Sequence, residues 1–215
     1  MQVELLNLAG GPVKGSTMWD GASRVVQAHG RYADAVVRGN VFQVSDTAGN
    51  LIPAGLSTAP TTVTLYNPLG SGVFLSLLYA AVNTTVLFAV TSVMWVGVTP
   101  PSVTAPTFTT YMPATNTSRG GVGGSRVMPL GSSGGAIALP TVPTILGELG
   151  LITHGAVNLL PYASSLSKWF DGVIGVGPGG TLSIQSALVG PTAGCFATWI
   201  WEEIPQYGSG PSLAA

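Results

Sequence analysis

Between Thr47 and Ser118 the chain carries no charged side chain and no histidine, an uninterrupted run of 72 residues. Its polar groups are almost all Ser, Thr and Asn hydroxyls and amides. Such a run is not a self-repelling disordered segment, because disorder requires low hydrophobicity and high charge. It has to fold, and it has to do so with neutral hydrogen bonds and apolar burial. The rest of the chain is nearly as lean: 15 of 215 residues are charged, 7% against about a quarter in ordinary globular proteins. A free monomer normally keeps its net charge away from zero for solubility. The net charge of −1 therefore suits a protein in permanent contact with other copies or partners.

Several classes fall away on the same ground. Seven cations without a cluster make a poor phosphate-binding surface, so nucleic acid is not an expected partner. Cys195 is the only cysteine, which excludes a disulfide scaffold and reads as a small buried apolar residue. The N-terminus lacks the basic and apolar regions of a signal peptide, so synthesis in a cytoplasm is expected.

Val73–Val96 has neither Gly nor Pro and is long enough to span a bilayer as a helix. Strands fit it better. Asn83-Thr84-Thr85 sits at its middle, and the nearest basic residues, Arg38 and Arg119, are too distant to orient a span. β-Branched and aromatic residues dominate the run, and Pro- and Gly-rich turns bound it. Two buried strands, Val73–Val82 and Val86–Val98, joined by the polar triplet, are predicted, with a membrane-embedded chain as the competing reading.

Elsewhere short apolar runs alternate with Gly/Pro punctuation. Val3–Leu8, Arg24–His29, Val41–Val44, Thr61–Tyr66, Thr107–Met112, Ala136–Leu139, Ser164–Phe170 and Thr181–Leu188 read as strands. Thr61–Tyr66 alternates as a half-buried strand does. The clearest strand runs from Gly194 to Ile204, with Cys195, Ala197, Trp199 and Trp201 on one face and Phe196, Thr198, Ile200 and Glu202 on the other. Arg31–Arg38 and Pro143–His154 read as short helices. About ten short strands predict a mainly β fold, an antiparallel β-sandwich of jelly-roll-like type with long Gly/Pro/Ser/Thr-rich loops and little helix. The expected organisation is one such domain over residues 1–205, with an N-terminal arm of about 1–22 and a C-terminal tail at 206–215.

Four strings invite a chemical reading. Gly131-Ser132-Ser133-Gly134-Gly135 matches G-x-S-x-G, and Glu148 and His154 follow in the order a hydrolase triad needs. Pro140, however, interrupts the helix that the nucleophile turn must open, so a Gly/Ser loop is expected. Gly175-Val176-Gly177-Pro178-Gly179-Gly180 matches G-x-G-x-x-G, yet a strand pattern follows it where a dinucleotide site needs a helix. His29 and His154 have no ligand spacing to Asp20, Asp34 or Glu148 that would support a metal. Asn83-Thr84-Thr85 and Asn116-Thr117-Ser118 fit the glycosylation pattern but read as polar turns. No catalytic, cofactor-binding or metal-ligating residue is therefore assigned, and no cofactor is expected.

Trp199 and Trp201 admit two readings, a stacking platform for sugar or a core. Arg24, Arg31 and Arg38, spaced seven apart, read as solvated charges or as partners of Asp20, Asp34 or a neighbouring subunit.

Three segments carry a resemblance. Arg31-Tyr32-Ala33-Asp34-Ala35-Val36-Val37-Arg38-Gly39-Asn40-Val41-Phe42, Tyr66-Asn67-Pro68-Leu69-Gly70-Ser71-Gly72 with its following strand, and Trp199-Ile200-Trp201-Glu202-Glu203-Ile204-Pro205 resemble virion proteins of tailed bacteriophages. The group resembles capsid decoration, or cement, proteins. The resemblance implies a jelly roll, no enzymatic activity, assembly as a homotrimer, and a major capsid protein as partner on the virion surface. A receptor- or carbohydrate-binding module of a tail or fibre is the alternative, with a glycan as ligand.

Overall fold

The computed structural model describes residues 32–85, 91–118, 120–121, 124–131, 137–152, 164–188 and 194–206, and the backbone of four two-residue strands nearer the N-terminus. Those four pair as β1 (Leu5–Leu6) with β2 (Pro12–Val13) and β3 (Ser16–Thr17) with β4 (Ser23–Arg24). The remaining elements are α1 (Ala33–Val37), β5 (Val41–Ser45), β6 (Thr64–Tyr66), β7 (Val73–Thr84), β8 (Ser92–Thr99), β9 (Thr110–Tyr111), β10 (Thr115–Asn116), β11 (Met128–Gly131), β12 (Thr144–Ile152), β13 (Ser164–Val176), β14 (Thr181–Ser186) and β15 (Cys195–Pro205). They form two antiparallel sheets packed as a β-sandwich. Sheet I runs β10-β5-β15-β7-β13 and sheet II runs β12-β8-β14-β6-β11-β9.

The pairings are nested. β5 pairs with β15, β6 with β14, β7 with β13 and β8 with β12, every pair antiparallel. First pairs with last, second with last but one, so the chain is a long hairpin wrapped around the core. Its tip lies between β8 and β12, and the excursion there supplies β9, β10 and β11 as additions to the sheets.

The core between the sheets is apolar and draws on both: Phe42, Leu75, Leu77 and Val82 from sheet I, Met94, Val96, Leu182 and Ile184 from sheet II. β15 alternates as its sequence predicts, with Cys195, Ala197, Trp199 and Trp201 buried and Phe196, Thr198, Ile200 and Glu202 turned outward. Phe42 stacks against Trp201 with ring centroids 6.0 Å apart.

Val73–Val96 crosses the sandwich twice. β7 and β8 occupy most of it, and no helix among the described residues is long and apolar enough to cross a membrane. The polar triplet is not the joint that was expected: Asn83 and Thr84 continue β7 and pair with Phe196 and Cys195 of β15.

Other expectations need correction. Pro143–His154 is not a helix, since Thr144–Ile152 is strand β12. Two register shifts, between Ile145 and Gly147 and between Glu148 and Gly150, bring Leu149 and Ile152 to the core three residues apart. Leu146, which would share a helical face with Leu149, is exposed instead. Thr61–Tyr66 is not half-buried. Only Thr64–Tyr66 pairs, and all three residues are buried because a loop covers the outer side of sheet II. Ser57 of that loop donates its N–H to Gln185 Oε1 at 2.8 Å, and Leu139 N–H donates to the Thr58 carbonyl at 2.7 Å. Tyr66, Leu130, Ile137 and Leu139 form a second small core under this cover. Ala136–Leu139 and Thr107–Met112 are strands only in part, as a bridge of Thr107 to Ala138 and the short β9.

Asp46 ties the sheets together at one end of the sandwich. Its carboxylate accepts the Val63 N–H at 3.0 Å and the Ala197 N–H at 2.9 Å. Burial raises its pKa to about 6 from 3.8, with the two backbone hydrogen bonds opposing the rise. A raised carboxyl pKa means that the folded state holds the proton more tightly than the unfolded chain, so this group's stabilising contribution is full below about 3.8 and is lost as pH rises through about 6. Thermal unfolding of wild type and Asp46→Asn across that window should show wild type losing ground to the variant as pH rises. Asp46→Ala leaves two buried N–H groups unpaired and should lose about 2–4 kcal/mol in denaturant titration at any pH.

Candidate functional site

The two outer faces of the sandwich differ. Sheet II is roofed by the 52–60 and 137–139 segments, so Thr181, Ser183 and Gln185 are buried on its outer side. Sheet I is open. Its cross-strand register puts Trp169, Tyr79, Ile200, Gln43 and Thr115 in one outward row across all five strands. A second row holds Ser167, Ala81, Thr198 and Ser45, and a third Ser165, Asn83 and Phe196. None of these side chains is charged. Two neutral hydrogen bonds knit them: Ser45 Oγ with Thr198 Oγ1 at 2.9 Å, and Ser165 Oγ donating to Asn83 Oδ1 at 2.6 Å.

One end of the first row is aromatic. Trp169 is 57% exposed despite two aromatic neighbours. Tyr79 lies against it at 4.9 Å, tilted by 51°, and Tyr32 stacks on it with ring centroids 6.4 Å apart. Tyr32 is held there by donating its hydroxyl to Asp171 Oδ1 at 2.6 Å.

Asp171 reaches Tyr32 through an irregularity in β13. Trp169 pairs with Tyr79 and Ile174 with Leu77, so residues 170–173 stand opposite Leu78 alone. Asp171 and Gly172 both take positive φ, 53° and 81°, as the tightest reverse turns require. This turn swings the carboxylate to the outer face while Phe170 and Ile174 stay in the core.

At the other end of the α1 segment, Glu202 and Arg38 border the face. Burial raises the Glu202 carboxyl above its ordinary range, and Arg38 opposes part of that rise. The adjacent Glu203 points inward and is a clamp. Its Oε1 accepts from Ser125 Oγ at 2.6 Å and Val127 N–H at 3.1 Å, pinning the approach to β11 onto β15.

Few of the residues singled out in the sequence fall among the described ones. Ser133, His154, His29 and Asp20, and the side chains of Arg24 and Arg31, lie outside the described residues. Glu148 sits on edge strand β12, where its backbone carbonyl accepts from Lys168 Nζ at 3.0 Å. Among the described residues no group of His, Cys, Asp and Glu could hold a metal. Trp199 and Trp201 are fully buried, so the sugar-platform reading of this pair is wrong and its core reading right. Their indole N–H groups are directed inward, Trp199 to the Val63 carbonyl at 2.8 Å. Burial and then the Asp46 carboxylate push the Cys195 thiol up to about 12, which leaves it inert. Asn116 of the second glycosylation-like triplet is buried and donates to the Gly39 carbonyl at 2.6 Å.

The aromatic end of sheet I escaped the sequence reading. Ser164–Phe170 reads as a strand, but nothing in its pattern places Trp169 outward at a sheet edge. Asp171-Gly172 is the signal that was there, since an Asp-Gly pair between apolar runs marks a tight turn.

No family model matches the chain, and no curated protein and no solved structure matches it.

The G-x-G-x-x-G string has a packing explanation instead. A Cβ on Gly175 would stand 2.5 Å from the Leu75 carbonyl oxygen and 2.4 Å from the Phe74 ring, whereas one on Gly177 would meet nothing. Gly175 lets β13 lie close on β7. Gly175→Ala should lose about 1–3 kcal/mol of stability while Gly177→Ala stays within about 0.5 kcal/mol, read by paired chemical denaturation curves.

Proposed function

We propose that this protein is a non-enzymatic structural component of a virion, a decoration or cement protein that binds and stabilises the capsid surface as a homo-oligomer, with a trimer as the working stoichiometry. The outer face of sheet I, whose three cross-strand rows hold no charged side chain, carries this reading. Cement has to hold a repeating surface in variable salt. Exposed ion pairs contribute little to such attachment and are screened. Neutral hydroxyls and apolar side chains are not screened in that way, and sheet I offers three rows of them.

The nested pairing supports a jelly roll, in which two Greek keys wrap as one folded hairpin. Covered and open faces divide the labour in this proposal. The roofed sheet II keeps the subunit rigid, and the open sheet I together with the β12–β13 side meets neighbours. Apolar side chains stand exposed along that side, among them Leu146 and Leu151 on β12 and Val173 on β13. Stable interfaces bury over about 1,200 Å² with apolar centres.

Light scattering behind a sizing column, without detergent, tests self-association. A particle near three times 21.8 kDa, unchanged between low and molar salt, is the expected result. Cryo-EM of capsids with and without the protein should then show it at regular surface positions. A monomer that leaves capsids bare would overturn the reading.

A further inference from the structure

We propose that the roofed side of sheet II contains a binding site for one water molecule, held between the hydroxyls of Thr99 on β8 and Thr181 on β14. The site is independent of the capsid reading and lies away from the face given to it.

Three observations combine. First, both hydroxyls are orphans. Thr99 and Thr181 are fully buried, and neither Oγ1 has a hydrogen-bond partner. A buried hydroxyl without a partner is costly, and native proteins leave few of them. The polar neighbours on this side are satisfied. Gln185 Nε2 donates to Ser183 Oγ at 2.8 Å, and Gln185 Oε1 accepts the Ser57 N–H at 2.8 Å.

Second, the two hydroxyls belong to one place. Thr99 and Thr181 are direct cross-strand partners. Val98 and Leu182 beside them face the core, so both threonines stand on the covered side. Ser45 and Thr198 are cross-strand partners in the same way on sheet I, and they bond directly at 2.9 Å. Thr99 and Thr181 do not. Facing side chains on paired strands start about 4.5–5.5 Å apart at Cβ. One water, bonding at about 2.8 Å on each side, bridges oxygens up to about 5.6 Å apart. Two polar partners are the least that a buried water takes.

Third, the surroundings select water over an ion. The same register row continues to Tyr66 of β6 and Met128 of β11, so it holds no charged side chain. A hard cation takes at least six oxygen ligands, usually with a carboxylate among them, and an anion needs cationic or N–H donors. Tyr66 belongs to the small core with Leu130, Ile137 and Leu139, an apolar wall beside the pair.

The experiment pairs a crystal structure of the full chain, at a resolution that shows ordered waters, with a double-mutant cycle of Thr99→Val and Thr181→Val read by chemical denaturation. The crystal should show a water within hydrogen-bond distance of both Oγ1 atoms. Valine has nearly the shape of threonine and lacks the hydroxyl. Where a water bridges the pair, either single variant strands the other hydroxyl. Each should then lower the folding equilibrium constant about threefold or more, and the double variant should lose less than the two singles combined. Where the hydroxyls are simply buried unpaired, each valine relieves that cost, so both singles are more stable than wild type and their effects add. That result, or a crystal without a water in reach of both atoms, overturns the proposal. Native mass and capsid occupancy take no part in these readouts, so the capsid reading stands or falls separately.

Discussion

The burial of β15 between β5 and β7 is the constraint on which the rest of the molecule depends. It brings Trp199 and Trp201 fully out of water, and each indole N–H must then find an acceptor. Trp199 finds the Val63 carbonyl, just ahead of β6 in the other sheet, and so fixes how the two sheets meet. Two buried carboxylates extend the same logic. Asp46 gathers Val63 and Ala197 N–H groups at one end, and Glu203 gathers Ser125 and Val127 at the other. In a chain with eight acidic residues, two are spent as internal acceptors for backbone N–H groups rather than as surface charge.

With β15 at the centre, the nested pairing leaves β12 and β13 as neighbouring edge strands. Exposed edges invite strand addition and aggregation unless they are blunted. Both carry irregularities that do this. β12 has two register shifts, and β13 has the Asp171-Gly172 turn together with Lys168, whose ammonium crosses to the Glu148 carbonyl of β12. Glycines allow the two edges to close on one another: a Cβ on Gly147 would stand 2.7 Å from the Phe170 ring. Association along this side is therefore proposed to be through side chains rather than by extending a sheet. The turn that interrupts β13 also carries Asp171 to the Tyr32 hydroxyl.

Much of the strand content was legible because alternation is a direct projection of a two-sided sheet. The Gly194–Ile204 pattern assigns Cys195 to Glu202 to their faces. Where bulges break the period, the projection fails. Leu146 and Leu149 read as one side of a helix, yet Leu146 is exposed on β12 and Leu149 buried, and Thr64–Tyr66 reads as half-buried although loop 52–60 covers its second face. The motif matches failed for a different cause: glycine-rich strings are common in a chain with 30 glycines, and Gly175 is small because β7 lies against it.

Composition and local pattern by themselves determined that this chain is a β protein poor in charge and rich in hydroxyls. Those properties depend on side-chain chemistry and on the two-residue repeat, both of which are local. Only the tertiary structure decided which tryptophans are core and which are surface. Trp199, Trp201 and Trp169 all lie on strands with apolar neighbours, and no local rule separates them. Trp199 and Trp201 sit on a central strand facing the second sheet. Trp169 sits on an edge strand facing away from it, and the pairing of residues more than eighty positions apart sets that difference.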